Sequence, residues 1–422
     1  MSPNSVLHLK NYHSGIELLS EVCPFGENLF KPPINSITVS LNYPTFHILF
    51  DSYTPVAQIT YPLSWVEALD AMTVSPSPKI LVCGPKHIGK STFCQFLVNS
   101  LIHKTAVTYL ETDPGQPSFS PPGLVSLHQL TNPILSPHVI RSGMSDLLRC
   151  QHIGNISARD NPRYYIDCVT DLLSHDPQEA PLIINTPGWT KGTGFELLTS
   201  LIRIASPDFI VVLSTSGNDS LAMNLHPLAS NLQINLLVVQ SADAITPGIH
   251  LAASDHRTLG IMSYFHRPTL DKWDFTTHLT AWKPWVVKFS GRADERGIWA
   301  IAIQGEDLRV EDIILAINGT IVAIILVSST PKEEVGVTPE GIPVLSGRGL
   351  KFMDPQTSRC AGYAIIRGID TENAWMMLLS PWDPSSVQDG EKIVLERGHL
   401  NLPVWAMWDH KKPHNLGPWL QR

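Results

Sequence analysis

Lys79-Ile80-Leu81-Val82-Cys83 runs into Gly84-Pro85-Lys86-His87-Ile88-Gly89-Lys90-Ser91, and Thr92-Phe93-Cys94-Gln95-Phe96-Leu97-Val98 follows. The first segment is a short apolar run, the second spells G-x-x-x-x-G-K-S, and the third carries helical periodicity. Strand, loop and helix in that order are what a phosphate-cradling loop requires. The glycines let successive backbone N–H groups turn toward one anion, at the positive end of the following helix. On this reading Gly84, Pro85, Lys86, His87, Ile88, Gly89, Lys90, Ser91 and Thr92 bind the nucleotide. Lys90 reaches the β- and γ-phosphates, and the Ser91 hydroxyl takes a magnesium site. A plain Gly-rich turn is the competing reading, and the flanking strand and helix speak against it.

Apolar runs ending in polar or turn residues recur at 80–83, 107–110, 182–185, 209–213 and 236–240. Their alternation with helical segments across residues 76–280 predicts an α/β domain with a mostly parallel sheet. In such sheets ligands sit at the carboxyl ends of the strands. The second of these strands ends Tyr109-Leu110-Glu111-Thr112-Asp113-Pro114-Gly115-Gln116. Carboxylates two apart on a strand share a face, so Glu111 and Asp113 are both expected to look toward the phosphates. A carboxylate there can hold magnesium or accept the proton of an attacking hydroxyl. Asp113, nearer the strand end, is the better base; a solvated strand end is the bland alternative.

The flanks read as β. In the segment 1–75, residues 6–9 and 37–41 alternate apolar and polar, and an apolar run occupies 46–50. Trp65-Val66-Glu67-Ala68-Leu69 is a helix leading to the phosphate loop. In the segment 281–422, strands are expected over 297–304 and 312–327, the latter broken into a hairpin by Asn318-Gly319. A second hairpin joins 362–369 to 374–379 through Asp370-Thr371-Glu372-Asn373, and a small barrel or sandwich closes the domain. Trp405, Trp408 and Trp419 mark a tail that docks on the body. The fold class is thus α/β: a central phosphate-loop domain flanked by β-rich N-terminal and C-terminal parts.

The 422 residues are 43% apolar and 16% charged, the composition of a folded, rather hydrophobic protein. Uninterrupted apolar runs are too short to span a membrane, and Met1-Ser2-Pro3-Asn4-Ser5 does not begin a signal peptide. Six scattered cysteines without a C-x-x-C pair read as reduced, mostly buried thiols of a cytosolic or nuclear protein. A net charge of −8 argues against a nucleic-acid-coated surface but leaves room for a local basic groove. Arg141, Arg149, Arg159 and Arg163 form the clearest basic stretch, read as an RNA-backbone contact or a solvated helix face.

Leu110-Glu111-Thr112-Asp113-Pro114-Gly115-Gln116-Pro117, through Pro121-Pro122-Gly123, resembles the polynucleotide 5′-hydroxyl kinases, which move the γ-phosphate of ATP to the 5′-OH end of RNA or DNA. Asn185-Thr186-Pro187-Gly188-Trp189-Thr190-Lys191-Gly192 looks like that family's clasp on the terminal nucleotides. Asp255-His256-Arg257-Thr258-Leu259, leading into Tyr264-Phe265-His266, looks like its lid. The four motifs follow the family's order over nearly the whole chain. The resemblance implies ATP and Mg²⁺ as cofactors, Lys90, Asp113 and Arg257 as catalytic residues, and Ser91, Asp113 and Glu111 at the metal. It implies Gln116, Thr186, Gly188, Trp189 and Lys191 on the RNA.

The extended segment after Asp113 and the lid are closest to the ribosomal-RNA-processing branch. That branch implies a nuclear and nucleolar kinase paired with a pre-rRNA endonuclease, phosphorylating the 5′-OH which the nuclease leaves in the spacer. Glu111 stands where many members carry aspartate. The lid offers one clear arginine where relatives often have two, with His256 and Arg267 as partial substitutes. The chain is also expected to begin inside the family's N-terminal β domain.

Independently of any family, a tryptophan at a crevice mouth can stack on any base, worth ~1–3 kcal/mol. Trp189, after a strand and a Pro-Gly turn, is so placed; core packing is its alternative. Arg257 can neutralise the transferring phosphoryl group, or be spent on a surface ion pair with Asp255. Competing readings are an ATP-binding scaffold of an RNA-processing complex, a tRNA-splicing or mRNA 3′-end-processing relative, and a small-molecule kinase. A GTPase lacks its N-K-x-D sequence here.

Overall fold

Strand β1 (Lys79–Cys83) is buried on both faces, and its side chains divide between two cores. Ile80 and Val82 pack under α1 (Leu63–Met72) and α2 (Lys90–Leu101). Leu81 and Cys83 pack under α3 (Pro162–Ser174), α4 (Thr193–Ala205) and α5 (Ser220–Asn231). A run apolar at every position is what a strand covered on both sides requires. The computed structural model describes residues 15–23, 41–43, 46–48, 58–135, 145–215, 220–242, 244–245, 251–268, 272–289, 297–305, 308–328, 335–345 and 353–407.

The remaining strands of the sheet are β2 (Val107–Glu111), β3 (Leu124–Leu130), β4 (Asp146–His152), β5 (Leu182–Asn185), β6 (Phe209–Ser214) and β7 (Asn235–Gln240). Their order is β7-β6-β1-β5-β2-β3-β4. The first five are parallel, matching the five strands read from sequence; β3 and β4 continue antiparallel beyond β2. Because β5 lies between β1 and β2, the chain leaving β1 crosses over it. The carboxyl ends of β1, β5 and β2, bearing Gly84, Asn185 and Glu111, therefore sit side by side. Arg149 lies on β4, so that part of the basic stretch is a strand and not a helix face.

The C-terminal part is a second sheet built from β8 (Trp285–Lys288), β9 (Ile298–Ile303), β10 (Ile321–Val327), β11 (Val335–Val337), β12 (Pro343–Leu345), β13 (Ser358–Asp370), β14 (Trp375–Leu379) and β15 (Lys392–Arg397). Its order is β8-β14-β13-β10-β15-β9-β12-β11. A bridge from Phe289 to Ile298 brings the end of β8 back to β9 and curls the first six strands toward a barrel. On β10, Val322, Ile324 and Leu326 point into one core, while Ile321, Ala323, Ile325 and Val327 join another. That second core holds Leu259, Met262 and Phe265 of α6 (Ala253–Phe265), Leu124 and Cys150 of the central sheet, and Leu19 and Cys23. The barrel's outer face is thus the floor on which the lid helix lies.

The expected hairpin at Asn318-Gly319 is a helix end. Ile313–Ile317 forms a short helix, α7; the Asn318 amide bonds the Ile314 carbonyl, and Gly319, at φ +79°, turns the chain into β10. The second expected hairpin is present as β13 and β14. Among the N-terminal readings, the Trp65 helix is α1, and 41–43 pairs antiparallel with 46–48. Residues 6–9 and 37–40, together with Arg141, Trp408 and Trp419, lie outside the described residues. At the tail, Ala406 and Met407 are buried against the second core. All six cysteines are buried, and no disulfide joins them. Among the described residues no helix is long and apolar enough to cross a membrane.

Candidate functional site

The phosphate loop closes on itself through backbone conformations that side chains resist. Gly84 has φ +150°, and a Cβ there would stand 2.9 Å from the Leu213 carbonyl oxygen. Gly89, at φ +97°, is the N-cap of α2, and His87 takes φ +61° between them. Lys90 opens α2, and its ammonium donates across the loop to the Pro85 carbonyl at 2.9 Å. Burial lowers the Lys90 pKa, and the Asp113 carboxylate works against that shift.

A cavity of about 690 Å³ opens over this loop. Lys86, His87, Gly89, Lys90, Ser91 and Thr92 form one side; Asp113, Pro114, Gly115 and Gln116 after β2 form the next. Pro187, Gly188 and Trp189 after β5 add a third, and Arg257 reaches in from α6. Three strand ends and the lid helix therefore converge on one space.

Glu111 does not wall this space. It is fully buried, with Oε1 accepting from the Asp113 amide at 3.1 Å and Oε2 from the Ser118 amide at 3.1 Å. The Asn185 side-chain amide donates to both oxygens, at 3.0 and 3.2 Å. Burial, reinforced by Asp113, pushes its carboxyl up to about 8. The expected shared face fails because the strand ends at Glu111. The chain then turns, and Asp113 leaves the alternation. Asp113 does line the cavity, with Oδ1 accepting from the Gly115 amide at 2.8 Å. Burial raises its pKa, while the Gly115 amide and Lys90 oppose the rise.

Thr186 also departs from expectation. It is buried, and its hydroxyl donates to the Val82 carbonyl at 2.8 Å, tying the clasp to β1 instead of facing a ligand. Asn185, one residue earlier, lines the cavity while holding Glu111. Gly188 lies so close to the phosphate loop that a Cβ there would be 2.8 Å from the Lys86 Cα. Trp189 is half-buried, with its indole against Gly194 near the start of α4. Lys191 is exposed outside the cavity wall.

On the lid, Asp255 is spent on a capping bond from the Ala252 amide at 3.0 Å, not on Arg257. His256 is near His87, and burial lowers its pKa. Arg267 lies 5.6 Å over the Trp273 ring, away from this cavity, so it does not supply a second lid arginine. Of the basic stretch, Arg149 is engaged elsewhere, bidentate to Asp171 at 2.9 and 3.1 Å. Arg159 lines the cavity, with Ile156 from the same loop, and Arg163 is exposed on α3. Asn185 stands in the clasp stretch with no role assigned to it from sequence, and Ile156 carried no sequence signal. Among the described residues no cluster of three or more His, Cys, Asp or Glu is placed to hold a metal. A magnesium ion, which needs few protein oxygens beside phosphate and water, fits the Ser91 hydroxyl and the Asp113 carboxylate that share the cavity.

Residues 84–267 match the family model of the mRNA cleavage and polyadenylation factor CLP1 P-loop. The polynucleotide 5′-hydroxyl-kinase grc3 of Schizosaccharomyces pombe is 32% identical to the chain, covering 96% of it and 59% of the kinase. For the polynucleotide 5′-hydroxyl-kinase GRC3 of Gibberella zeae the identity is 29%, over 95% of this chain and 62% of the relative. The chain thus spans about three fifths of the length of these curated relatives. A chain of the solved Clp1p–Pcf11p complex aligns with a TM-score of 0.55 at 14% identity, over 80% of this chain and 79% of that one. That likeness establishes the fold.

Proposed function

We propose that this homologue of the polynucleotide 5′-hydroxyl-kinases transfers the γ-phosphate of ATP to the 5′-hydroxyl end of RNA. The observation that carries the reading is the charge of the cavity. Lys86, Lys90, Arg159 and Arg257 line it with Asp113 as its one carboxylate among the described residues, in a chain of net charge −8. Such a site is built for polyanions, with a single acid placed to handle a proton.

The hydroxyl oxygen of the terminal ribose bonds to the γ-phosphorus, the bond to the β–γ bridging oxygen breaks, and ADP departs. The hydroxyl proton passes to Asp113. Its raised pKa makes it a better acceptor than an exposed carboxylate. Lys90 and Arg257 stabilise charge on the phosphoryl oxygens, so that catalysis is positioning and electrostatics. Magnesium, held by Ser91 beside Asp113, would neutralise β- and γ-oxygens. Glu111 acts behind Asp113 by fixing the loop that bears it. Trp189 offers its face to the terminal base, with Gly188 on the same wall and Gln116 on the wall after β2.

We read the physiological substrate as the 5′-OH left in pre-rRNA spacer by an endonuclease partner, in the nucleus and nucleolus. The extended segment after Asp113 and the form of the lid support that finer assignment. The test is transfer of label from γ-labelled ATP to 5′-OH RNA and DNA oligomers, with Lys90→Ala as the control. Label on RNA that survives Lys90→Ala sinks the assignment. ATP binding without transfer returns the chain to the scaffold reading.

A further inference from the structure

Beside the turn after Asp113 stands the loop 155–159, to which the phosphoryl-transfer step assigns no contact. Ile156, Ser157, Ala158 and Arg159 all line the cavity. The loop is braced from several sides. Ala158 is buried in the central core, Asn155 Nδ2 donates to Asp160 Oδ2 at 2.6 Å, and the Arg159 amide donates to Ser157 Oγ at 3.2 Å. Behind it, the Gly154 carbonyl accepts from the His399 amide at 2.7 Å, which ties the loop to the barrel. On its inner side, a Cβ on Gly115 would stand 2.9 Å from the Ile156 carbonyl. The loop thus abuts the turn that carries Asp113, the residue read above as accepting the proton of the incoming hydroxyl.

Two features of this loop suit a ligand. Arg159 is exposed and makes no ion pair among the described residues, whereas Arg149, Arg309 and Arg359 are each held by a carboxylate. Ile156 stays 40% exposed and lines the same cavity as Trp189 and Leu197. The phosphates of ATP already have Lys90, the loop amides and Arg257.

We infer that the 155–159 loop is the acceptor-strand subsite: Arg159 engages the first phosphodiester 3′ to the reacting nucleoside, and Ile156 supports the sugar or base beside it. This rests on the kinase reading above. Arg159 is then a substrate-binding residue whose effect depends on charge at one linkage.

The experiment compares 5′-OH RNA oligomers that are ordinary throughout with oligomers bearing a neutral methylphosphonate at the first linkage. The parental protein is expected to favour the charged oligomer by about tenfold in kcat/KM, the scale of one charged contact. Arg159→Gln erases that preference, raises KM for the charged oligomer, leaves KM for ATP and kcat unchanged, and lowers the salt slope of RNA binding by about one. Ile156→Ser raises KM for both oligomers alike. An undiminished preference in Arg159→Gln overturns the inference. So does an equal loss of kcat on both oligomers, which would put Arg159 on the transferring phosphate. If the parental protein transfers no phosphate to RNA, the kinase reading fails first and this inference with it.

Discussion

At Glu111, a carboxyl with no solvent contact accepts from two backbone amides and the Asn185 side chain, and burial pushes it up to about 8. In the unfolded chain the same group titrates near ~4.3. Between those values the folded state holds a proton which the unfolded state lacks. Stability is therefore full below the unfolded value and falls as pH rises toward about 8. Burial depresses His128 to about 3 and His266 to about 4, which gives a slope of opposite sign, but only below the free histidine value of ~6.5. Urea midpoints between pH 6.5 and 8 should show a decline approaching ~1.4 kcal/mol per pH unit. Glu111→Gln should flatten it, and an identical slope in the variant would assign it to other groups. Asp113→Asn tests the neighbour: transfer should drop by ~10²–10⁴-fold with ATP affinity kept. A matching loss of ATP binding would make Asp113 a nucleotide ligand instead of the base.

Between elements, the clasp is held to the phosphate loop by contact too close for any side chain. A Cβ at Gly188 would meet the Lys86 side chain at 2.6 Å and its backbone nitrogen at 2.9 Å. Gly188→Ala must push one loop off the other, at a cost of ~1–3 kcal/mol. It should raise the KM for ATP as well as for RNA; a change confined to RNA would show that the two loops move independently. The five parallel strands of the central sheet were legible because each carries an apolar run that ends in polar or turn residues. The phosphate loop was legible because its chemistry dictates its spacing. Helix α7 was not, since Ile313-Ile314-Leu315-Ala316-Ile317 is β-branched and apolar while Leu315 stands 81% exposed. Strand β4 hid because it begins Asp146-Leu147-Leu148 exposed and is buried only from Cys150 onward. Residue roles at the strand ends were the least legible part. One turn decides whether Asn185 or Thr186, Glu111 or Asp113, faces the cavity, and the pattern upstream does not encode that turn.

Over the whole molecule, one buried cluster joins the central sheet to the barrel. Arg149, on β4, grips Asp171 of α3 and donates to the carbonyls of Pro355 at 2.9 Å and Ser358 at 2.8 Å. Gln151 donates to Asp171 and to the Pro355 carbonyl as well. Removing the guanidinium takes its two bonds from a buried carboxylate and one bond from each carbonyl, with Gln151 still donating to all three, a loss of ~3–5 kcal/mol for the broken ion pair. Arg149→Ala should therefore be strongly destabilising, and Asp171→Ala should relieve part of that loss, so that the double variant is less unstable than the summed singles. The apolar core beside this cluster runs from Leu19 through α6 to Met407 and has no seam at the junction of the two sheets. The lid helix carrying Arg257 and the loop carrying Arg159 both rest on the barrel, which makes the barrel a support of the site. Thermal unfolding of the chain is accordingly expected as a single transition. ATP should shift it upward as a whole, because a ligand of the folded state stabilises every part that unfolds with its site. Two resolved transitions, with ATP moving only one, would show that the barrel folds apart from the domain it props.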